Sequence, residues 1–153
     1  MTSPEPSERR AVEILLIEAN HGDVRLMKEL FADAGITNEI HVVYDDDEAL
    51  DFIHQHGGYT DAPLPDIILL DPKLPGRKSE DVLDTLSNRS ELASIPVIGM
   101  TGSGSEVDIA KSSGINVDSY IQKPLNPDEF LDAIQNMGGY GITIVRKSSR
   151  DTV

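Results

Sequence analysis

Short apolar runs alternate along this chain with segments of helical period, the pattern of βα units wound around a parallel sheet. Residues 12–17 read as a fully buried first strand. After Asn20-His21-Gly22-Asp23, the residues Val24, Met27, Leu30 and Phe31 recur at the core spacing of a helix that Gly35 stops. Asp23, in the first turn of that helix, suits the positive end of its dipole. Residues 40–44 form the second strand and 46 to about 54 the second helix, with Ala49, Leu50 and Ile53 inward and Gly57-Gly58 ending it. Pro63 and Pro65 delimit a loop before the strand Ile67-Ile68-Leu69-Leu70, and Pro72, Pro75 and Gly76 force another loop directly after Asp71. A third helix is expected from about residue 80 to 86. Pro96 opens a fourth strand, Ser105 caps a short helix running to Ser112 and closed by Gly114, and residues 119–122 make the fifth strand. The strongest helix start is Asn126-Pro127-Asp128-Glu129, which leads into Phe130, Leu131, Ile134 and Met137. Residues 140–145 can add a short extended segment before a polar tail.

Four polar residues end or border these apolar runs: Glu18, Asp71, Thr101 and Lys123. Open α/β sheets place their chemistry at the carboxyl ends of the strands, so one small pocket can collect all four. Beside Glu18 stands Ala19, where a second carboxylate would complete a divalent-cation site.

Composition narrows the classes. With 153 residues and 39% hydrophobic side chains, the chain is the size of one domain that owns a core. Against 13 basic side chains stand 27 acidic ones, a formal charge of -14, which disfavours nucleic acid and anionic membranes as partners. The acidity otherwise serves solubility, including in a salt-rich cytosol. No cysteine is present, which excludes disulfides, thiolate metal sites and thiol catalysis. No stretch approaches the roughly 20 apolar residues of a membrane span, and the polar start carries no secretory apolar region. A cytoplasmic protein is expected.

Rival motifs are weaker. Gly102-Ser103-Gly104-Ser105 lacks the Lys-Ser/Thr end of a P-loop and reads as a loop. His54 and His56 stand two apart and are not expected to share a face, while His21 and His41 lie elsewhere. Asp45-Asp46-Asp47-Glu48 lacks the spacing of a calcium loop and reads as a solvated helix start.

Taken together, Glu18-Ala19, Asp71, Thr101 and Lys123-Pro124, with 30 residues from Asp71 to Thr101 and 22 from Thr101 to Lys123, resemble the response-regulator receiver domains of the CheY type over about residues 12–137. The segment from Glu18 to Leu26, Ala49-Leu50-Asp51-Phe52 and Ile142-Thr143-Ile144-Val145-Arg146 are similar to single-domain regulators associated with phytochromes and their archaeal relatives. The resemblance implies a doubly wound (βα)5 flavodoxin-like three-layer sandwich with a five-stranded parallel sheet. It divides the chain into a disordered tail over 1–10, a receiver domain over 11–139, and an extension over 140–153 that offers a homodimer contact.

The same resemblance implies that Asp71 accepts a phosphoryl group from a sensor histidine kinase, that the protein signals through a protein-binding face to an unknown downstream protein, and that it is not an enzyme. Thr101, Gly102 and Lys123 would contact the phosphoryl group. Glu18, Asp71 and the backbone carbonyl of Lys73 would hold Mg²⁺, in a site that Ala19 weakens or abolishes. Thr101 and Tyr120 would form the switch, against the plainer reading of Tyr120 as a sheet-edge tyrosine, and the Lys123-Pro124 bond would be cis. Pro72 and Lys78-Ser79 are further departures from the family pattern. Two alternatives stay open: a degenerate receiver that binds partners without phosphate, with Lys123 pairing Asp71 in a metal-free pocket, and a flavodoxin-like protein that binds a cofactor or acts as an enzyme.

Overall fold

The computed structural model describes residues 13–36, 38–73, 78–102, 117, 119–123 and 126–136. β1 (Ile14–Ile17) and β3 (Ile67–Leu70) bury every residue they contain. Strands covered on both faces show no polar alternation, which is why both read as continuous apolar runs. β2 (Ile40–Val43) lies at the sheet edge and buries only Val43 fully. β4 (Val97–Thr101) and β5 (Ser119–Gln122) complete a five-stranded sheet of order β2-β1-β3-β4-β5, parallel throughout. This is the expected doubly wound flavodoxin-like arrangement.

Helices cover the sheet on both sides. α1 (His21–Asp33) and α5 (Pro127–Asn136) set Val24, Met27, Phe31 and Phe130 against Ile14, Leu16, Ile67, Leu69, Ile98 and Met100. The Phe31 and Phe130 rings meet with centroids 5.1 Å apart. On the opposite face, α2 (Asp46–His54), α3 (Lys78–Ser87) and α4 (Ser90–Ala93) contribute Ala49, Phe52, Ile53, Val82, Leu86 and Leu92. Helix caps follow the sequence. Asn20 Oδ1 accepts the Asp23 N–H, Asp45 Oδ1 accepts that of Glu48, and Asn126 Oδ1 accepts that of Asp128.

Several local expectations need correction. α2 is ended by Gln55, in the left-handed conformation at φ 59°, and not by Gly57-Gly58, which instead enter a 3-10 turn over Gly57–Tyr59. That reversal brings the His54 and His56 rings to a stacked separation of 5.5 Å, although strict helical geometry would part them. Asp46 is buried, so the acidic start of α2 is only partly solvated. Phe52 is a core residue of α2, whereas Leu50 is half-buried. α3 runs further in both directions than residues 80–86, and the four-residue α4 had no periodicity to announce it. The expected helix at 105–112, the tail at 1–10, the extension at 140–153 and the Lys123-Pro124 peptide bond all lie outside the described residues.

Candidate functional site

In the order β2-β1-β3-β4-β5 the winding direction reverses between β1 and β3, and a crevice opens there beyond the strand ends. Glu18, Asp71 and Lys123 each follow their strand by one position and are fastened to the neighbouring strand, while Thr101 is the last residue of β4. The Glu18 N–H donates to Val43 O at 3.0 Å, that of Asp71 to Ile17 O at 3.0 Å, and that of Lys123 to Thr101 O at 2.6 Å. The sheet itself therefore fixes where these side chains start.

Their polar ends converge on one ammonium. Lys123 Nζ donates to Asp71 Oδ2 at 2.7 Å, to Asp23 Oδ2 at 3.0 Å and to Glu18 Oε1. Asp71 Oδ1 accepts the Lys73 N–H at 2.8 Å, so both oxygens of that carboxylate are engaged. Glu18 Oε2 accepts the Asn20 N–H at 3.2 Å.

Burial and crowding set the protonation states. Glu18 is 1% exposed. Burial pushes its carboxyl up to about 7, and the neighbouring Asp71 adds to the rise, against the opposing pull of Lys123 and the Asn20 N–H. Burial acts in the same upward sense on Asp71, but Lys123, Glu18 and the Lys73 N–H outweigh it and hold Asp71 below its ordinary value. Glu18 is thus the member of the pair that keeps a proton. Burial acts to lower Lys123, yet its hydrogen bonds to Asp71, Glu18 and Asp23 raise it well above the usual lysine range. When all three acids ionise, three carboxylates and one ammonium leave two negative charges in the crevice.

Thr101 ends β4, the strand next to β3, with its Cα paired to Gln122. It is 2% exposed, and its Oγ1 has no hydrogen-bond partner among the described residues. Such a hydroxyl is costly unless something else completes it. Gly102 beside it is exposed, and its carbonyl accepts from Gln122 Nε2 at 3.4 Å. Tyr120 pairs with Gly99, and its ring crosses the bare Gly99 backbone so closely that a Cβ there would meet two ring carbons at 2.7 Å. Ala19 is half-buried against the core on the α2 and α3 side and brings no oxygen to the site.

The structure thus brings Glu18, Asp71, Thr101 and Lys123 to one end of the sheet, with Lys73 attached through its N–H. It adds Asp23, for which the sequence pattern pointed only to a role at the helix dipole. One signal pointed there: the first turn of α1 begins at the same sheet edge as Glu18. Another group, Glu13, Glu39 and His41, has potential ligand atoms within 4.8 Å of one another. It stands at the amino ends of β1 and β2, away from the crevice. The oxygen donors around Lys123 are those a hard cation such as Mg²⁺ takes, so the residues present fit it.

Known proteins agree with this geometry. Residues 14–135 match the family described as response regulator receiver domain. The response regulator Rcp1 of Synechocystis sp. is 31% identical over 132 residues, 86% of this chain and 90% of that protein. A solved Mn²⁺-bound form of Rcp1 is 30% identical with a TM-score of 0.64, covering 90% of this chain and 99% of the other. The bacteriophytochrome response regulator AtBRR is 34% identical with a TM-score of 0.75, covering 84% and 94%. The phosphorylated cyanobacterial phytochrome response regulator RcpA is 31% identical with a TM-score of 0.66, covering 88% and 99%. With a family match over most of its length and a relative above 30% identity, this chain belongs to the response regulator receiver domain family.

Proposed function

We propose that the protein is a single-domain response regulator of the phytochrome-associated type, which accepts a phosphoryl group on Asp71 from a sensor histidine kinase. The observation that carries this reading is Thr101 Oγ1, a buried hydroxyl without a partner among the described residues, set at the strand end beside the Asp71–Lys123 pair. A phosphoryl oxygen on Asp71 is the acceptor that this hydroxyl lacks.

In the transfer, an Asp71 carboxylate oxygen bonds to phosphorus while the bond from phosphorus to the kinase histidine nitrogen breaks. Lys123 leaves Asp71 Oδ2 and meets the charge on the phosphoryl oxygens, and Thr101 donates its hydroxyl to another of them. The Lys73 N–H holds the remaining Asp71 oxygen in place. Glu18, Asp71 and the Lys73 carbonyl would hold Mg²⁺, with Ala19 as the weak point, and the ion would add charge neutralisation. Movement of Thr101 toward phosphate frees space beside Gly99, and Tyr120 follows it, so that β5 and its flanking helices present a changed face to a downstream protein. The protein acts as a cytoplasmic signalling module and not as an enzyme, with residues 11–139 as receiver and 140–153 as a homodimer contact. Among the described residues no helix is long and apolar enough to cross a membrane.

A second reading is favoured by one observation: Lys123 Nζ already gives Asp71 a cationic partner from the chain itself, at 2.7 Å. A receiver of that kind would bind partners without phosphate. Incubation with an autophosphorylated histidine-kinase transmitter separates the two. Transfer of label to the wild type but not to Asp71→Asn supports the regulator, and retention of label on the kinase with both proteins overturns it.

A further inference from the structure

Asp23 stands at the third position of α1, where an acid has a sufficient local role in capping the helix dipole and can extend into water. It does not do so. Its Oδ2 accepts from Lys123 Nζ at 3.0 Å, a contact that spans 100 positions of sequence. The segment bearing it is pinned twice. Asn20 Oδ1 accepts the Asp23 N–H at 3.0 Å, and the His21 ring stacks on that of Tyr44, just past β2, with centroids 4.1 Å apart. The side chain of Asp23 remains 40% exposed, whereas that of Glu18 is 1% exposed.

We propose that Asp23 is the compensating carboxylate of this receiver: it supplies to a divalent cation the acidic oxygen that Ala19 cannot, from the first turn of α1 instead of the loop after β1. The inference rests on the reading of Asp71 as phosphoryl acceptor. Two observations and the coordination habit of Mg²⁺ support it. Asp23 and Asp71 already share one cation, the Lys123 ammonium, with oxygens 3.0 and 2.7 Å from Nζ. Glu18 touches the same ammonium from the enclosed side, and Asp23 from the open side. Mg²⁺ keeps several of its waters and takes only one or two protein carboxylates, so an ion entering from solvent meets the half-exposed Asp23 before the enclosed Glu18. Asp23 would then exchange Lys123 for the divalent cation, which removes one of the three carboxylate contacts that hold the ammonium back from the phosphoryl oxygens. Asp23 thereby couples occupancy of the cation site to the freedom of Lys123.

The test is titration of the full chain with Mn²⁺, following the free-ion signal by electron paramagnetic resonance, for the wild type, Asp23→Asn, Ala19→Asp and the double variant. Thermal melts establish that each is folded. The expected result is a loss of at least about tenfold in Mn²⁺ affinity for Asp23→Asn, because one charged ligand is gone. Ala19→Asp restores the ordinary acid, so adding Asp23→Asn to it should cost about threefold or less. Equal affinity of the wild type and Asp23→Asn overturns the inference. So does a full tenfold cost in both backgrounds, which would mean that Asp23 is not standing in for residue 19. If Asp23→Asn binds Mn²⁺ normally and is still phosphorylated on Asp71, this inference falls while the receiver function stands. A wild type that neither binds Mn²⁺ nor takes phosphate overturns both.

Discussion

Lys123 Nζ lies 2.7 Å from Asp71 Oδ2, joining the ends of β5 and β3 in a charge pair that also reaches Glu18 and Asp23. Removing the cation leaves the acids facing one another in a largely enclosed crevice. Lys123→Met should therefore cost about 3 kcal/mol of stability, the lower part of the range for breaking one side of a buried pair, because the Lys123 side chain keeps 18% exposure. Urea unfolding reads this directly. Asp71→Asn added to Lys123→Met should recover part of the loss, and purely additive losses would contradict the pairing.

Glu18 gives the fold a pH dependence of known sign. Its folded value of about 7 stands above its ordinary 4.5, so the folded state binds this proton more tightly than the unfolded chain. The contribution is fully present below about 4.5 and is lost as pH rises through about 7. Asp71, held below its ordinary 3.8, acts in the opposite sense and only at more acid pH. Glu18→Gln stays neutral throughout, so its stability relative to wild type should improve between pH 5 and 8, with a ceiling of about 3 kcal/mol. Thermal melts that run parallel for the two proteins across that window would refute this.

The Thr101 hydroxyl separates folding from function. Since its Oγ1 has no partner among the described residues, Thr101→Val should leave the unphosphorylated fold as stable as wild type or more so by about 1 kcal/mol. The same variant should lose phosphoryl yield or lifetime at Asp71 by about tenfold or more, because one donor to the developing charge is missing. A destabilised Thr101→Val with normal phosphorylation would reverse both assignments.

Tyr120 and Gly99 form a steric lock. An alanine Cβ at position 99 would lie 2.7 Å from two Tyr120 ring carbons and 3.1 Å from Val117 Cγ2. Gly99→Ala should cost about 1–3 kcal/mol and drive the ring outward, with a changed near-ultraviolet tyrosine signal. Unchanged stability together with an unchanged tyrosine signal would show that the ring does not rest on Gly99.

Much of this was legible in the sequence because a buried parallel strand is a bare apolar run and the first polar residue after it marks its carboxyl end. Glu18 and Asp71 stand out that way, whereas Lys123 follows the polar Gln122 and stands out by its spacing from Asp71 and Thr101; the backbone N–H groups of all three continue the ladders. Asp23 does not stand out, because its position three residues into α1 has a complete local explanation that hides a contact 100 residues away. The end of α2 was misplaced for a related reason. Glycine is the residue expected in the left-handed region, yet Gln55 adopts it, supported by N–H contacts to Asp51 O and Phe52 O. The four residues of α4 are too few for any period to emerge.

On the proposed reading, Asp71 takes a phosphoryl group with the help of a divalent cation although Ala19 stands where the family has an acid. The most direct measurement is the intact mass of the protein after incubation with acetyl phosphate, with and without Mg²⁺, for wild type, Asp71→Asn and Ala19→Asp. A Mg²⁺-dependent phosphoryl adduct is expected on wild type and Ala19→Asp, and none on Asp71→Asn. An unmodified wild type beside a labelled Ala19→Asp would contradict that reading and identify a receiver that works without phosphate.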